Sequence, residues 1–189
     1  NTQNNRNKDY QFSIITPCFN SAETIQDVFQ SLLSLNNTNF EWVVINDAST
    51  DNTENFIDQF LSIAGFDISY FGLEKNKMAT YCYHLGIEQA KGKFLIFLDH
   101  DDQIKPLALD RFLKNWDSLS ASQKDNTAGM IALCEDEKGK IVGTKFPRSP
   151  DINSFFSLIF DEGVRGEKFF CYKATVMKQN NFQLVDRYV

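Results

Sequence analysis

Three carboxylates follow directly on an apolar stretch of the sequence. Residues 94–98 read FLIFL, and the next four residues are Asp99, His100, Asp101 and Asp102. In an extended chain alternate side chains share a side, so Asp99 and Asp101 can point the same way while Asp102 points elsewhere. Two ionised carboxylates held close together repel each other unless a cation or hydrogen-bond donors compensate their charge. Because Mg²⁺ takes one or two protein carboxylates together with substrate phosphates, and Mn²⁺ also prefers oxygen ligands, this pair predicts a divalent cation bound with a diphosphate.

The same residue types have an ordinary structural explanation. Aspartates are common after strands because they form turns and cap helices, so a single D-x-D is a weak indication of a metal site. His84 and His100 are more often surface or helix residues than metal ligands, and Phe19 is more often a core residue than a ligand contact. The position of the acidic pair directly after an apolar strand favours the metal-site hypothesis.

Composition limits the class of protein. The chain has 189 residues, of which 42% are hydrophobic, enough for one domain with a buried core. Its formal net charge of −6 argues against bulk attraction to nucleic acid, and we expect no nucleic-acid partner. No apolar run reaches the roughly 18 residues of a transmembrane helix. The four cysteines form no C-x-x-C pair, which fits reduced thiols in a cytoplasmic protein better than a zinc site or a disulfide framework.

Strands and helices alternate through the first part of the chain. Apolar runs predict strands, and segments with apolar residues at helical spacing predict the helices between them. Asn20 followed by Glu23 has the spacing of a helix N-cap and its partner, and Asp51 with Glu54 repeats it. The alternation predicts an α/β fold with helices on both faces of a parallel sheet, in which ligands bind beyond the carboxyl ends of the strands. The predicted strands are 12–17, 40–46, 66–73 and 93–98, and the predicted helices are 23–35, 51–63, 78–92 and 107–116.

The pattern changes after residue 118. Residues 128–146 predict two strands joined by a charged turn at 135–140, so antiparallel pairing should follow the parallel part. The sheet is therefore predicted to be mixed but mainly parallel. Further on, a helix is predicted within 149–160, a strand at 167–173 and a short helix at 175–181.

Four blocks of the sequence resemble glycosyltransferase family 2 in their order and spacing. The blocks are SIITPCFNSAETI, EWVVINDASTDNT, EKNKMATYCYHLGIEQAKGKFLIFLDHDD and the proline at position 106. Four ordered blocks are far more specific than any one of them. The resemblance implies the GT-A fold, a three-layer α/β/α sandwich whose nucleotide-binding half is Rossmann-like. It also implies transfer of a sugar from a nucleoside diphosphate sugar to an acceptor hydroxyl, with inversion.

The resemblance implies a division of the chain. We expect a flexible leader at residues 1–11 and one glycosyltransferase catalytic domain at 12–189. Within that domain, residues 12–118 correspond to the nucleotide-sugar-binding part, and residues 119–189 to the start of the acceptor part.

Roles at three strand ends also follow from the resemblance. Pro17 and Phe19 border the nucleobase, and Asp47 hydrogen-bonds the base edge, where uracil would offer an N–H and favour a UDP-sugar. Asp101 is the direct ligand of a divalent cation, Mg²⁺ or Mn²⁺, and Asp99 contacts the ribose hydroxyls or the metal and its waters. When bound, such a cation stabilises the charge that builds on the β-phosphate as the sugar leaves.

The sequence departs from the family pattern in the loop and helix before Gly86. Where the family has glycine-rich N-G-G and then A-R-N, this chain has Asn76, Lys77 and Met78 and then residues 82–84, Cys-Tyr-His. That loop normally passes close to the nucleotide and sugar, so its bulkier side chains leave the identity of the donor open.

The sequence assigns no catalytic base. Inverting transfer requires a carboxylate that takes the proton of the acceptor hydroxyl, and the family places it well after the D-x-D. Asp161, Glu162 and Glu167 come early for that role, and Asp186 lacks the family's paired acids. We therefore expect the native protein to continue past Val189 and to supply the base there.

The expected partners are a UDP-sugar and a glycan or lipid-linked acceptor, in polysaccharide or glycoconjugate synthesis in the cytoplasm or at the cytoplasmic face of the membrane. A catalytically inactive nucleotide-sugar or carbohydrate-binding module is one alternative. A haloacid dehalogenase type phosphatase also has a strand-terminal D-x-D, but its usual Thr or Val is Gln103 here. A dehydrogenase needs G-x-G-x-x-G after the first strand, and residues 16–23 contain no glycine.

Overall fold

A mixed six-stranded sheet organises the protein, of which the computed structural model describes residues 8–148 and 152–179. The strands are β1 (Phe12–Cys18), β2 (Phe40–Asn46), β3 (Asp67–Gly72), β4 (Phe94–Phe97), β5 (Gly129–Leu133) and β6 (Lys168–Lys173). The helices are α1 (Ile25–Leu33), α2 (Thr53–Ile63), α3 (Met78–Gln89), α4 (Ala108–Asp117), α5 (Ala121–Asn126), α6 (Phe155–Phe160) and α7 (Ala174–Gln179). Within these residues, every helix is too short or too polar to cross a membrane.

The strands lie in the order β3-β2-β1-β4-β6-β5. The four strands of the first half pair in parallel, whereas β6 pairs antiparallel with both β4 and β5. The prediction of a mixed, mainly parallel sheet is confirmed, and so are the four strands and four helices predicted before residue 118, within a few residues at their ends.

Apolar side chains fill a layer on each face of the sheet. One layer packs strand residues such as Ile14 and Trp42 against α1, α2 and α4, and within it the rings of Phe29 and Phe60 stack with centroids 4.1 Å apart. The other layer packs Ile15 and further strand residues against α3 and α7. Because both faces are covered, β1 and β2 are buried along their whole length, which explains why both strands are mainly apolar.

The second half differs from the prediction in its pairing. β5 forms as expected, but the return segment of the predicted hairpin makes a single bridge, between Glu135 and Ile141. The chain then turns to a different partner, because Thr144 donates its N–H to the carbonyl of Arg165 at 3.0 Å. The antiparallel partner of β5 is β6, so the hairpin prediction is wrong although the antiparallel pairing is present.

Helix starts also depart from the sequence pattern. Helix α1 begins at Ile25, and Asn20 has a left-handed backbone with φ of 50°. The side-chain oxygen of Asn20 accepts the N–H of Thr50 at 2.8 Å, so the prediction that Asn20 caps α1 is wrong. Sequence analysis missed α5, although Ser120 and Gln123 form a capping box at its start.

Helix α3 lies directly on the central strand. Gly86 faces β1, and a Cβ on this residue would lie closer than 3.0 Å to the side chain of Ile15. Ile15 is fully buried and β-branched, so it has little freedom to move away. The absence of a side chain at Gly86 therefore sets the distance between α3 and the sheet.

We expect Gly86→Ala to lower the free energy of unfolding by about 1–3 kcal/mol, because overpacking against Ile15 outweighs the gain of about 0.5–1 kcal/mol in helix propensity. The matched control is Gly65→Ala, since a Cβ at Gly65 meets no atom within 4 Å. Urea denaturation of both variants measures the difference. Equal stability of the two variants would contradict the close packing of α3 on β1.

Candidate functional site

The edge of the sheet opens where β4 separates from β1. Pairing of β1 with β2 continues to Cys18 and Asn46, but pairing with β4 ends at Ile15. The N–H of Leu98 donates to the Ile15 carbonyl at 3.0 Å, and the next β1 residue directed to that side is Pro17, which has no N–H. The strand order also reverses at β1, so this is the switch point at which open α/β sheets bind ligands.

Asp47 follows β2 and is buried, with 3% of its surface exposed. Its carboxylate accepts two backbone N–H groups, Oδ1 that of Lys77 at 2.6 Å and Oδ2 that of Met78 at 2.9 Å. These amides begin α3, which lacks a side-chain cap of its own. Asp47 therefore satisfies two backbone donors at the helix start, of which the N–H of Met78 also lies 3.2 Å from Asn76 Oδ1. Its predicted contact with a nucleobase stays a prediction.

The three acids after β4 are exposed and close a turn, in which the N–H of Asp102 donates to the carbonyl of Asp99 at 3.2 Å. Asp99 Oδ1 accepts a hydrogen bond from the hydroxyl of Tyr83. Asp101 has no hydrogen-bond or ion-pair partner among the residues that the structure describes. Partial burial raises the pKa of Asp102, and the charges of Glu167, Asp101 and Asp99 raise it further. The turn is thus a concentration of negative charge.

The loops after β1 and β2 are joined at the same edge. Asn20 donates its N–H to Ser49 Oγ at 3.0 Å, which complements its side-chain bond to Thr50. Pro17 is buried within β1, whereas Phe19 has 42% of its surface exposed. Phe19 is therefore not a core residue, and its ring is accessible after the carboxyl end of β1.

The histidines and cysteines near this edge have structural surroundings. His100 Nδ1 lies 3.3 Å from Thr24 Oγ1, at the start of α1, and His84 lies 3.7 Å from Glu88 one helical turn away. Burial raises the pKa of Cys18 and Cys82 to about 12, with nearby carboxylates, Asp47 among them, adding to the effect. Both thiols stay protonated at neutral pH and are poor nucleophiles.

The donor set fits a cation that binds together with phosphates. Among residues 8–148 and 152–179, no group of three or more His, Cys, Asp or Glu side chains could hold a metal ion by itself. A site built from Asp101 and the second oxygen of Asp99 does not need such a group, because Mg²⁺ keeps waters and takes substrate phosphates as ligands.

The acids considered as a catalytic base are spread over the second half. Glu162 Oε1 accepts hydrogen bonds from Arg148 at 3.2 Å and Asn153 at 2.9 Å, so it holds the chain around α6. Asp161 and Glu167 are exposed. Asp186 lies outside the described residues.

Sequence analysis missed two features of this edge. The hydrogen bond from Tyr83 to Asp99 and the capping of α3 by Asp47 both join residues that are distant in the sequence. The sequence feature that could have drawn attention to Tyr83 is its position in residues 82–84, where the chain departs from the family's A-R-N.

Comparison with known proteins gives a consistent result. The model of the family described as glycosyl transferase family 2 matches residues 13–182. The putative teichuronic acid biosynthesis glycosyltransferase TuaG of Bacillus subtilis is 26% identical over 175 residues, which are 91% of this chain and 64% of TuaG. This chain thus spans less than two thirds of that relative.

Solved structures share the fold. The structure of S. aureus TarS 1–349 superimposes with a TM-score of 0.69 and 25% identity, over 90% of this chain and 49% of that one. The same protein has been solved in complex with UDP-GlcNAc. The mannosyltransferase PcManGT from Pyrobaculum calidifontis, in complex with GDP-Man and Mn²⁺, has a TM-score of 0.62 and 18% identity, over 92% of this chain and 47% of that one. The predicted GT-A fold is confirmed by these neighbours.

We expect Asp47→Asn to lower the free energy of unfolding by about 1–3 kcal/mol, because an amide can accept only one of the two buried N–H bonds and directs its own donors at the other. Asp101→Asn is the control, since this exposed carboxylate has no described partner, and it should change stability by no more than about 0.5 kcal/mol. Urea denaturation measures both. An Asp47→Asn variant with the same free energy of unfolding as the wild type would argue against the capping role of Asp47.

Proposed function

Because the chain belongs to glycosyl transferase family 2, we propose that it is the donor-binding part of an enzyme that moves a sugar from a nucleoside diphosphate sugar to an acceptor hydroxyl, with inversion. One observation carries the proposal. Asp47, Asp99 and Asp101 follow β2 and β4, the two neighbours of β1, at the carboxyl edge where the order of strands reverses. A diphosphate at that edge would lie within reach of acids from both neighbours. Membership of this family argues against the phosphatase and dehydrogenase alternatives.

The donor that we propose is a UDP-sugar. The relative TarS has been solved with UDP-GlcNAc, which supports this choice. Pro17 and Phe19 border the base, and the exposed ring of Phe19 suits a stacking contact. Asp47 hydrogen-bonds the base edge, because a carboxylate oxygen that accepts one backbone N–H keeps a second acceptor position for a uracil N–H.

Asp101 is proposed as the direct ligand of Mg²⁺ or Mn²⁺, and Asp99 as the contact of ribose hydroxyls or of metal-bound water. The absence of a described partner supports Asp101 in the first role, because its oxygens carry no competing hydrogen bond. The Mn²⁺ in the structure of PcManGT supports the use of a divalent cation. When bound, the cation stabilises the charge that develops on the leaving diphosphate. Asp101 would thus hold the diphosphate end of the donor, and Asp99 would orient the ribose or the metal-bound water.

The acceptor that we propose is a glycan or a lipid-linked glycan, and the process is polysaccharide or glycoconjugate synthesis, which the name of the relative TuaG supports. We propose action in the cytoplasm or at the cytoplasmic face of the membrane, where the free cysteines of the described chain would stay reduced. No acid in residues 8–148 and 152–179 is assigned as the catalytic base. The inactive binding module shares this donor site and differs in lacking turnover.

Titration calorimetry with UDP-sugars and GDP-sugars, each with Mn²⁺ and with a chelator, tests the donor site. We expect a UDP-sugar to bind with Mn²⁺ and the affinity to fall at least about tenfold on chelation or in Asp101→Ala, because the variant loses the ligand that recruits the diphosphate.

Asp102→Ala is the matched control for this titration, since it removes a neighbouring carboxylate that is part of the turn and has no proposed contact with the donor. It should bind the UDP-sugar with nearly the affinity of the wild type. If the wild type binds no nucleotide sugar, the proposed function is wrong. If Asp102→Ala loses binding and Asp101→Ala keeps it, the assignment of the ligand is wrong.

A further inference from the structure

Tyr83 connects α3 to the acidic turn after β4. Its hydroxyl donates a hydrogen bond to Asp99 Oδ1. Its ring packs edge-on against Phe97, the last residue of β4, with centroids 5.1 Å apart and an interplanar angle of 73°. The helix that carries it is fixed on both sides of this residue. Cys82 is buried, and Gly86 lies directly on Ile15 of β1. Tyr83 therefore reaches Asp99 from a rigid support.

The phenol acts as a donor and not as an anion. Because the carboxylate of Asp99 can only accept, the proton of their hydrogen bond belongs to the Tyr83 hydroxyl. A neutral donor among three carboxylates offsets part of their mutual repulsion without adding a charge. It also occupies Oδ1 of Asp99, so that Oδ2 is the oxygen without a described hydrogen bond.

We infer that Tyr83 is a positioning residue of the donor site, which fixes the side chain of Asp99 so that Oδ2 faces the ribose hydroxyl or metal-bound water of the nucleotide sugar. This inference rests on the proposed function. Tyr83 stands in the triplet where the chain departs from the family's A-R-N, so the contact belongs to this chain's own version of the site. Tyr83 acts through Asp99, because its hydroxyl is already bonded to the carboxylate of that residue.

The inference predicts that Tyr83→Phe weakens binding of a UDP-sugar in the presence of Mn²⁺ by roughly tenfold or more, since loss of a residue that orients a metal-site ligand commonly costs that much. The variant keeps the ring and its contact with Phe97, and a thermal melt verifies its fold. The matched control is Tyr81→Phe, on the same helix, with 47% of its surface exposed and no described hydrogen bond. We expect the control to bind like the wild type.

A double-mutant cycle with Asp99→Asn separates positioning from a general structural role. If Tyr83 acts through Asp99, adding Tyr83→Phe to Asp99→Asn causes little further loss of affinity. Full additivity of the two losses, or equal affinity of Tyr83→Phe and Tyr81→Phe, would overturn the inference while leaving the proposed function in place. A wild type that binds no nucleotide sugar would overturn both.

Discussion

The missing backbone donor at Pro17 is the constraint on which the rest of the candidate site depends. β1 is the central parallel strand, and its ladder with β4 stops two residues before Pro17. A residue with an N–H at position 17 could donate one more hydrogen bond to the chain after β4. The pairing of β1 with β4 could then continue past Leu98. Without that hydrogen bond, β4 ends at Phe97 and Asp99 lies in a solvent-exposed turn outside the sheet. Pro17 therefore contributes to the crevice at the switch point by removing one hydrogen bond of the ladder.

Two fully buried carboxylates and the acids of the turn after β4 have contrasting surroundings. Buried acids have donors for their oxygens, as Asp47 has from the start of α3. Glu41, at the opposite end of the sheet, accepts the hydroxyl of Ser13 and the N–H of Lys91, each at 2.6 Å. The acids of the turn after β4 are exposed, and the hydrogen bond from Tyr83 is the sole side-chain donor described for Asp99. This concentration of like charge in an exposed turn is the feature on which the proposed cation site rests.

Sequence patterns predicted the parts of the fold that depend on burial. The strands and helices before residue 118 follow from continuous apolar runs and helical spacing, which tertiary contacts reinforce. The patterns were misleading where two partners compete for the same groups. Asn20 has the spacing of a cap, but the amide of Thr50 is the partner it meets in the folded chain. β5 has a charged turn after it, but β6 offers five paired residues where the return segment offers one bridge. The candidate acids were identifiable from type and position, whereas the link from Tyr83 to Asp99 requires knowing how α3 lies on the sheet.

The capping of α3 by Asp47 has a consequence for how this half of the protein folds. The two amides that Asp47 accepts lie 30 and 31 residues further along the chain. The first turn of α3 is therefore completed by a strand that must already be in place, and α3 in turn carries the side chain that holds Asp99. Local opening of the helix start would expose a buried carboxylate, so it is coupled to disruption of the core beside it. The start of α3 is thus coupled to the core through the buried carboxylate of Asp47.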